Sequence, residues 1–97
     1  MPSYITLINW TDQGARNYKN SVDRYEAARK AMSATGVSFK DIYWTIGPYD
    51  VVGILEAPDD ESATAALLTV AGQGNIRTTT LRAFSGSEMK GVIAKAG

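Results

Sequence analysis

The chain has 97 residues, 10 basic and 10 acidic side chains that cancel, 44% hydrophobic residues, and neither cysteine nor histidine. Balanced charge leaves no basic excess for nucleic acid and no acidic run for a disordered tail. Without Cys and His there is no disulfide, thiolate nucleophile, usual zinc or haem ligand, or usual general base, so no cofactor and no metal is expected.

The absence of Cys agrees with a cytoplasmic location. Met1-Pro2-Ser3 lacks the basic stretch and apolar core of a signal peptide. No apolar run approaches the ~18 residues of a membrane span, so no membrane partner is expected. The length predicts one domain over residues 1–97. A domain of this size buries only roughly 60–65% of its unfolded surface.

Tyr4-Ile5-Thr6-Leu7-Ile8-Asn9 is rich in β-formers and predicts a first strand. Trp10 to Asn20 is polar, contains Gly14, and has room for a helical turn capped by Thr11 or Asp12. A clearer helix starts at Ser21, with Val22, Tyr25, Ala28 and Met32 on one face and Gly36 as its stop. Two strands follow, Val37 to Ile46 and Val51 to Ala57, around the turn Gly47-Pro48-Tyr49-Asp50. In that turn Gly permits unusual backbone angles and Pro fixes its own φ. Val51-Val52-Gly53-Ile54-Leu55 is too continuous for a strand with one wet face, so it predicts a strand covered on both. In so short a chain the second cover points to a partner copy.

Pro58-Asp59-Asp60-Glu61 opens a second helix, with an Asp as N-cap and acidic residues suiting the dipole. Ala63, Ala66, Leu67 and Val70 form its apolar stripe, and Gly72 and Gly74 end it. Asn75 to Phe84 reads as a fourth strand. Ser85-Gly86-Ser87-Glu88 fits a capping box ahead of a short helix with Met89, Val92 and Ile93. The order βαββαβ predicts an α+β, ferredoxin-like antiparallel sheet with strand order four-one-three-two, both crossover helices on one face, and an extra C-terminal helix.

The other sheet face depends on strand parity. With Ile5 and Leu7 under the helices, Tyr4, Thr6, Ile8 and Trp10 face away. With Leu81 and Ala83 under the helices, Thr78, Thr80, Arg82 and Phe84 join them. With Ile42, Trp44 and Ile46 buried, Phe39, Tyr43 and Thr45 complete the face. One bulge reverses part of such an assignment. The face covers on the order of several hundred Å², near the largest patch a monomer exposes. Two copies are therefore expected to close these faces into a two-fold, barrel-like sandwich with a partly polar cleft.

Residues 4–14, Gly47-Pro48-Tyr49-Asp50, Glu56-Ala57-Pro58-Asp59-Asp60 and residues 75–84 together resemble the GYD-domain family over nearly the full length. The resemblance implies a fold similar to the dimeric α+β barrel proteins. Those include cofactor-free monooxygenases, haem-degrading enzymes and the ligand-sensing domains of Lrp-type regulators. So wide a range constrains the fold more than the function.

Candidate ligand-binding residues each have a bland alternative. Tyr49 and Asp50 could meet a ligand, or pack at an interface and cap the turn. Asn9 and Trp10 lie where a strand meets a loop, a common place for sites; such residues also position oxidisable rings in the related oxygenases. Trp10 is otherwise a core lid and Asp12 a cap. The segment Trp10 to Asn20 is a candidate lid. Arg82, beside Thr78 and Thr80, suits a carboxylate or phosphate, or an interchain ion pair; Arg77 is a weaker candidate. Tyr43 offers a hydroxyl or a structural partner. Gly72-Gln73-Gly74 follows a helix, the wrong order for a phosphate loop. No catalytic residue stands out.

The expected partners are a second copy, in a homodimer or higher homo-oligomer, and a small-molecule ligand, but not nucleic acid. A small-molecule-binding or assembly module fits these features, using a cleft between sheet faces. The alternative is a cofactor-independent enzyme, of monooxygenase or isomerase type, in which the role of the missing histidine would fall to Tyr43, Asp50 or Asp12. A structural oligomer acting with another protein is the third reading.

Overall fold

The computed structural model describes residues 1–97, in the order β1 (Ser3–Trp10), α1 (Asp12–Arg16), a 3-10 turn (Tyr18–Asn20), α2 (Ser21–Ser33), β2 (Ser38–Trp44), β3 (Val51–Glu56), α3 (Asp60–Ala71), β4 (Ile76–Ala83) and α4 (Gly86–Ala96). The strands form one antiparallel sheet in the order β2-β3-β1-β4. This is the ferredoxin-like arrangement that the element order predicts.

The helices start where the sequence supplies caps. Thr11 Oγ1 accepts from Gly14 N at 3.1 Å and starts α1. Asp59 Oδ1 accepts from Ser62 N at 2.7 Å and starts α3. Ser85 and Glu88 bond reciprocally in a capping box that starts α4. Gly36, with φ of +82°, lets the chain turn out of α2 into β2.

The core lies between one sheet face and the pair α2 and α3. It comprises Tyr4, Met32, Val37, Leu55, Ala57, Ala63, Ala66 and Leu67. In α2 the core side is Ser21, Tyr25, Ala28 and Met32, whereas Val22 is exposed. Ser21 lies almost directly above Tyr25 on the helix, and Val22 is about 100° further round. A Cβ on Gly53 would lie 3.0 Å from the Phe39 ring and 3.2 Å from Thr6. The missing side chain lets that ring lie across β3. Tyr25 meets Phe39 edge-on at 5.4 Å.

The strand parity is the reverse of the expected one on β1 and β4. Tyr4, Thr6 and Ile8 are buried on the helix side, and their register partners Arg82, Thr80 and Thr78 share that face. Ile5 and Leu7 therefore lie on the uncovered face with Leu81 and Thr79. On β2, Ile42 and Trp44 face the helices and Tyr43 faces away, as expected, but Trp44 is 40% exposed and Ile46, expected to be buried, lies beyond the end of β2 and is fully exposed. Phe39 instead joins the helix side, because Lys40 is an extra residue between the pairs Phe39–Leu55 and Asp41–Ile54.

The cap on α3 gives a pH-dependent prediction. The hydrogen bonds from Ser62 hold the Asp59 carboxyl below its usual range. A depressed folded-state pKa stabilises the protein above the unfolded-state pKa, and that stability is lost as pH falls through the folded value. Asp59→Ala is expected to lower the stability at neutral pH by removing the cap. The difference from the wild type should disappear in acid below the depressed pKa. Urea melts at neutral and acid pH check both statements.

Candidate functional site

The sheet face opposite α2 and α3 has no helix packed on it. Its rows alternate with the buried ones: Ile5 and Leu7 on β1, Val52 and Ile54 on β3, Tyr43 on β2 and Leu81 on β4. Antiparallel partners share a face, so Ile5 stands beside both Ile54 and Leu81, and Leu7 beside Val52. Tyr43 is 55% exposed and Leu81 47%. Polar residues border the centre: Asn9 and Arg77 pair at one end, and Lys40 bridges to Glu56 at 3.1 Å near the other. Both central strands are thus apolar on two faces, while α2 and α3 cover only one.

The Gly47-Pro48-Tyr49-Asp50 turn closes one end of this sheet. Gly47 has φ of +117°, in the region that favours glycine. The Asp50 carboxylate accepts from Trp10 N at 2.9 Å, its own N–H donates to Ile8 O at 2.9 Å, and its carbonyl accepts from Thr45 N at 2.8 Å. Asp50 therefore ties the end of β1 to the β2–β3 connection. Tyr49 is half-buried, and its carbonyl accepts from Thr45 Oγ1 at 2.6 Å.

Two recesses lie on the helix side. The first is a small recess of about 70 Å³, lined by Trp10, Tyr25, Phe39, Ile42, Trp44 and Ile76 among others. It is far below the ~300 Å³ at which small-molecule sites begin. The segment after Trp10 is pinned beside it: Thr11 N donates to Asn75 O at 3.1 Å, Thr11 Oγ1 to Gly74 O at 2.5 Å, and Gln13 Nε2 to Asn75 Oδ1 at 3.0 Å.

The second recess is an open groove of about 410 Å³ between α3 and β4, lined by Tyr4, Asp60, Leu67, Thr78, Thr80 and Arg82 among others. Tyr4 donates its hydroxyl to Asp60, and that bond, together with burial and the Asp60 charge, raises the tyrosine pKa above its ordinary value. Thr80 Oγ1 donates to the buried Thr6 Oγ1 at 3.1 Å. Arg82 Nη1 donates to the carbonyls of Ser3 and Ala83, and its guanidinium lies 4.4 Å from the Phe84 ring centre.

The structure brings Thr78, Thr80 and Arg82 together in the groove. Trp10 borders the small apolar recess. Asn9 and Tyr43 stand on the open face, and Tyr49 and Asp50 at its hairpin end. The candidate residues do not form one constellation. Sequence reasoning missed the Tyr4–Asp60 pair, because it read Asp60 only as a helix start and the two lie 56 residues apart.

Asp50→Ala is expected to leave the part-buried Trp10 N–H without its acceptor and to cost about 1–3 kcal/mol. Urea denaturation measures this, and a loss within experimental error would contradict the tie.

The GYD domain family model matches residues 4–93, and the chain belongs to that family. It is 33% identical over 85 residues to a Thermus thermophilus protein named as a glutamine synthetase and cystathionine beta-lyase binding protein, covering 87% of this chain and 90% of that one. The fold is similar to a crystal structure of a protein from Thermus thermophilus, with a TM-score of 0.57, 23% identity, and 89% of this chain and 96% of that chain covered.

Proposed function

With membership of the GYD family as the premise, we propose that this chain is a homo-oligomeric assembly module. Two copies close their open sheet faces on each other, and the particle binds another protein. The carrying observation is the uncovered row of Ile5, Leu7, Val52, Ile54 and Leu81 on a sheet that has helices on one side. An apolar face of this kind normally marks an interaction surface. A two-fold axis makes one face self-complementary, so no second surface is needed. The Thermus relative is named for binding two enzymes. That name supports a protein-binding role here, with an enzyme of that kind as the partner.

A small-molecule role has its own support in the α3–β4 groove, whose volume falls in the range of ligand sites. Arg82 there suits a carboxylate or phosphate. This groove lies on the helix side, so the ligand would not sit between the two sheet faces. The enzyme reading has less support. Tyr4 is held protonated above its ordinary range, which suits a hydrogen-bond donor better than a base at neutral pH.

Ile54→Glu places a charge at the centre of the proposed interface. Sedimentation velocity should show a concentration-dependent oligomer for the wild type and a monomer for the variant. A wild type that stays monomeric across the micromolar range would overturn the proposal. For the groove, Arg82→Ala should abolish any added ligand mass in native mass spectrometry while the oligomer persists. A structural Arg82 would instead change only the melting temperature.

A further inference from the structure

We propose that α4 is an interchain arm, whose Met89, Val92 and Ile93 stripe packs on a second copy of this chain beside the paired sheet faces. The inference rests on the face-to-face dimer proposed above and extends it.

The helix is well specified locally but buries none of its residues. Its capping box is complete, with Glu88 N donating to Ser85 Oγ at 3.1 Å and Ser85 N to Glu88 Oε1 at 2.9 Å. Met89, Val92 and Ile93 recur at spacings of three and one along its 11 residues, which puts them on one side. None is buried: they are 43%, 38% and 59% exposed. No residue of α4 is buried. The chain measures 50 × 31 × 17 Å, and its radius of gyration is 14.4 Å. A compact chain of this length would have about 12.5 Å. Isolated helices shorter than ~12–15 residues are marginal in water. This helix therefore needs a surface that its own sheet and helices do not provide.

The area of the proposed dimer identifies that surface. Four strands ~4.8 Å apart and ~26 Å long give a face of about 500 Å². A stable interface buries about 800 Å² per partner. An 11-residue helix is ~16 Å long and ~10 Å wide, or about 160 Å² in outline. In a two-fold pair each copy both gives and receives one arm, which raises the face to about the required 800 Å². The sheet face alone falls short of that size.

The stripe is a poor match for a lipid surface. Interfacial membrane helices combine an aromatic-rich apolar side with a strongly basic polar side. Here the stripe has no aromatic residue, and Lys90 and Lys95 are offset in part by Glu88. A second copy is the occupant that fits.

Full-length wild type, Ile93→Glu and Ile54→Glu separate the possibilities. Residue 93 is exposed, so the substitution should leave the fold intact; circular dichroism checks this. Ile93→Glu is expected to weaken the dimer by at least about tenfold in sedimentation equilibrium. Hydrogen exchange of the Glu88–Ala96 amides should slow with protein concentration in the wild type and stay fast in Ile54→Glu. If Ile54→Glu abolishes the dimer while Ile93→Glu changes neither its dissociation constant nor the exchange of α4, the arm is overturned and the sheet-face dimer stands. A wild type that is monomeric throughout overturns both. Protection of α4 by phosphatidylserine vesicles, with none from dimerisation, also overturns the arm.

Discussion

A sheet with helices on one side leaves its other side to be covered by something else, and this constraint governs the whole molecule. The two crossovers β1–α2–β2 and β3–α3–β4 put both packed helices against the same face. The central strands then carry two apolar rows but find cover for one. Tyr4, Ile8, Val51 and Leu55 are buried under helices, while Ile5, Leu7, Val52 and Ile54 stay partly open. Apolar side chains left partly in water forgo part of the roughly 1.5–3 kcal/mol that full burial of each would contribute. The face-to-face pairing proposed above would make the chain half of a larger hydrophobic core.

Hydrogen bonds between elements hold the sheet together. Asp50 bonds the backbones of Ile8 and Trp10 and fixes the hairpin end of the sheet. Thr6 is fully buried, and its hydroxyl bonds to Thr80 across β1 and β4. A buried hydroxyl without a partner would cost stability, so this bond holds the edge strand in register. The recess of ligand size lies on the other side, bounded by α3 and β4. The groove and the open apolar row therefore lie on different faces of the sheet.

The element order and the helix starts were legible because each depends on local chemistry. Asp59, the Ser85–Glu88 pair, Gly36 and Gly47 act through their own backbone neighbours. The uncovered face was misread for a physical reason. On β1 both alternating rows are apolar, so a period of two fits either parity; the decision is made by packing against Met32 and Leu67, far away in the chain. The extra residue at Lys40 then turned Phe39 to the helix side, which no pattern in β2 announces. Val22 had the right spacing, yet Ser21 took the inward position. The Tyr4–Asp60 contact was out of reach because it depends on how α3 settles over β1. Candidate residues chosen by type were accordingly scattered among the groove, the cavity, the hairpin and the open face.

Native mass spectrometry of the wild-type protein tests the central claim most directly, under conditions gentle enough to preserve weak assemblies. The account predicts a dimer or an even multiple of it. A strict monomer at every concentration would mean that the second apolar row remains in water, and would contradict the account.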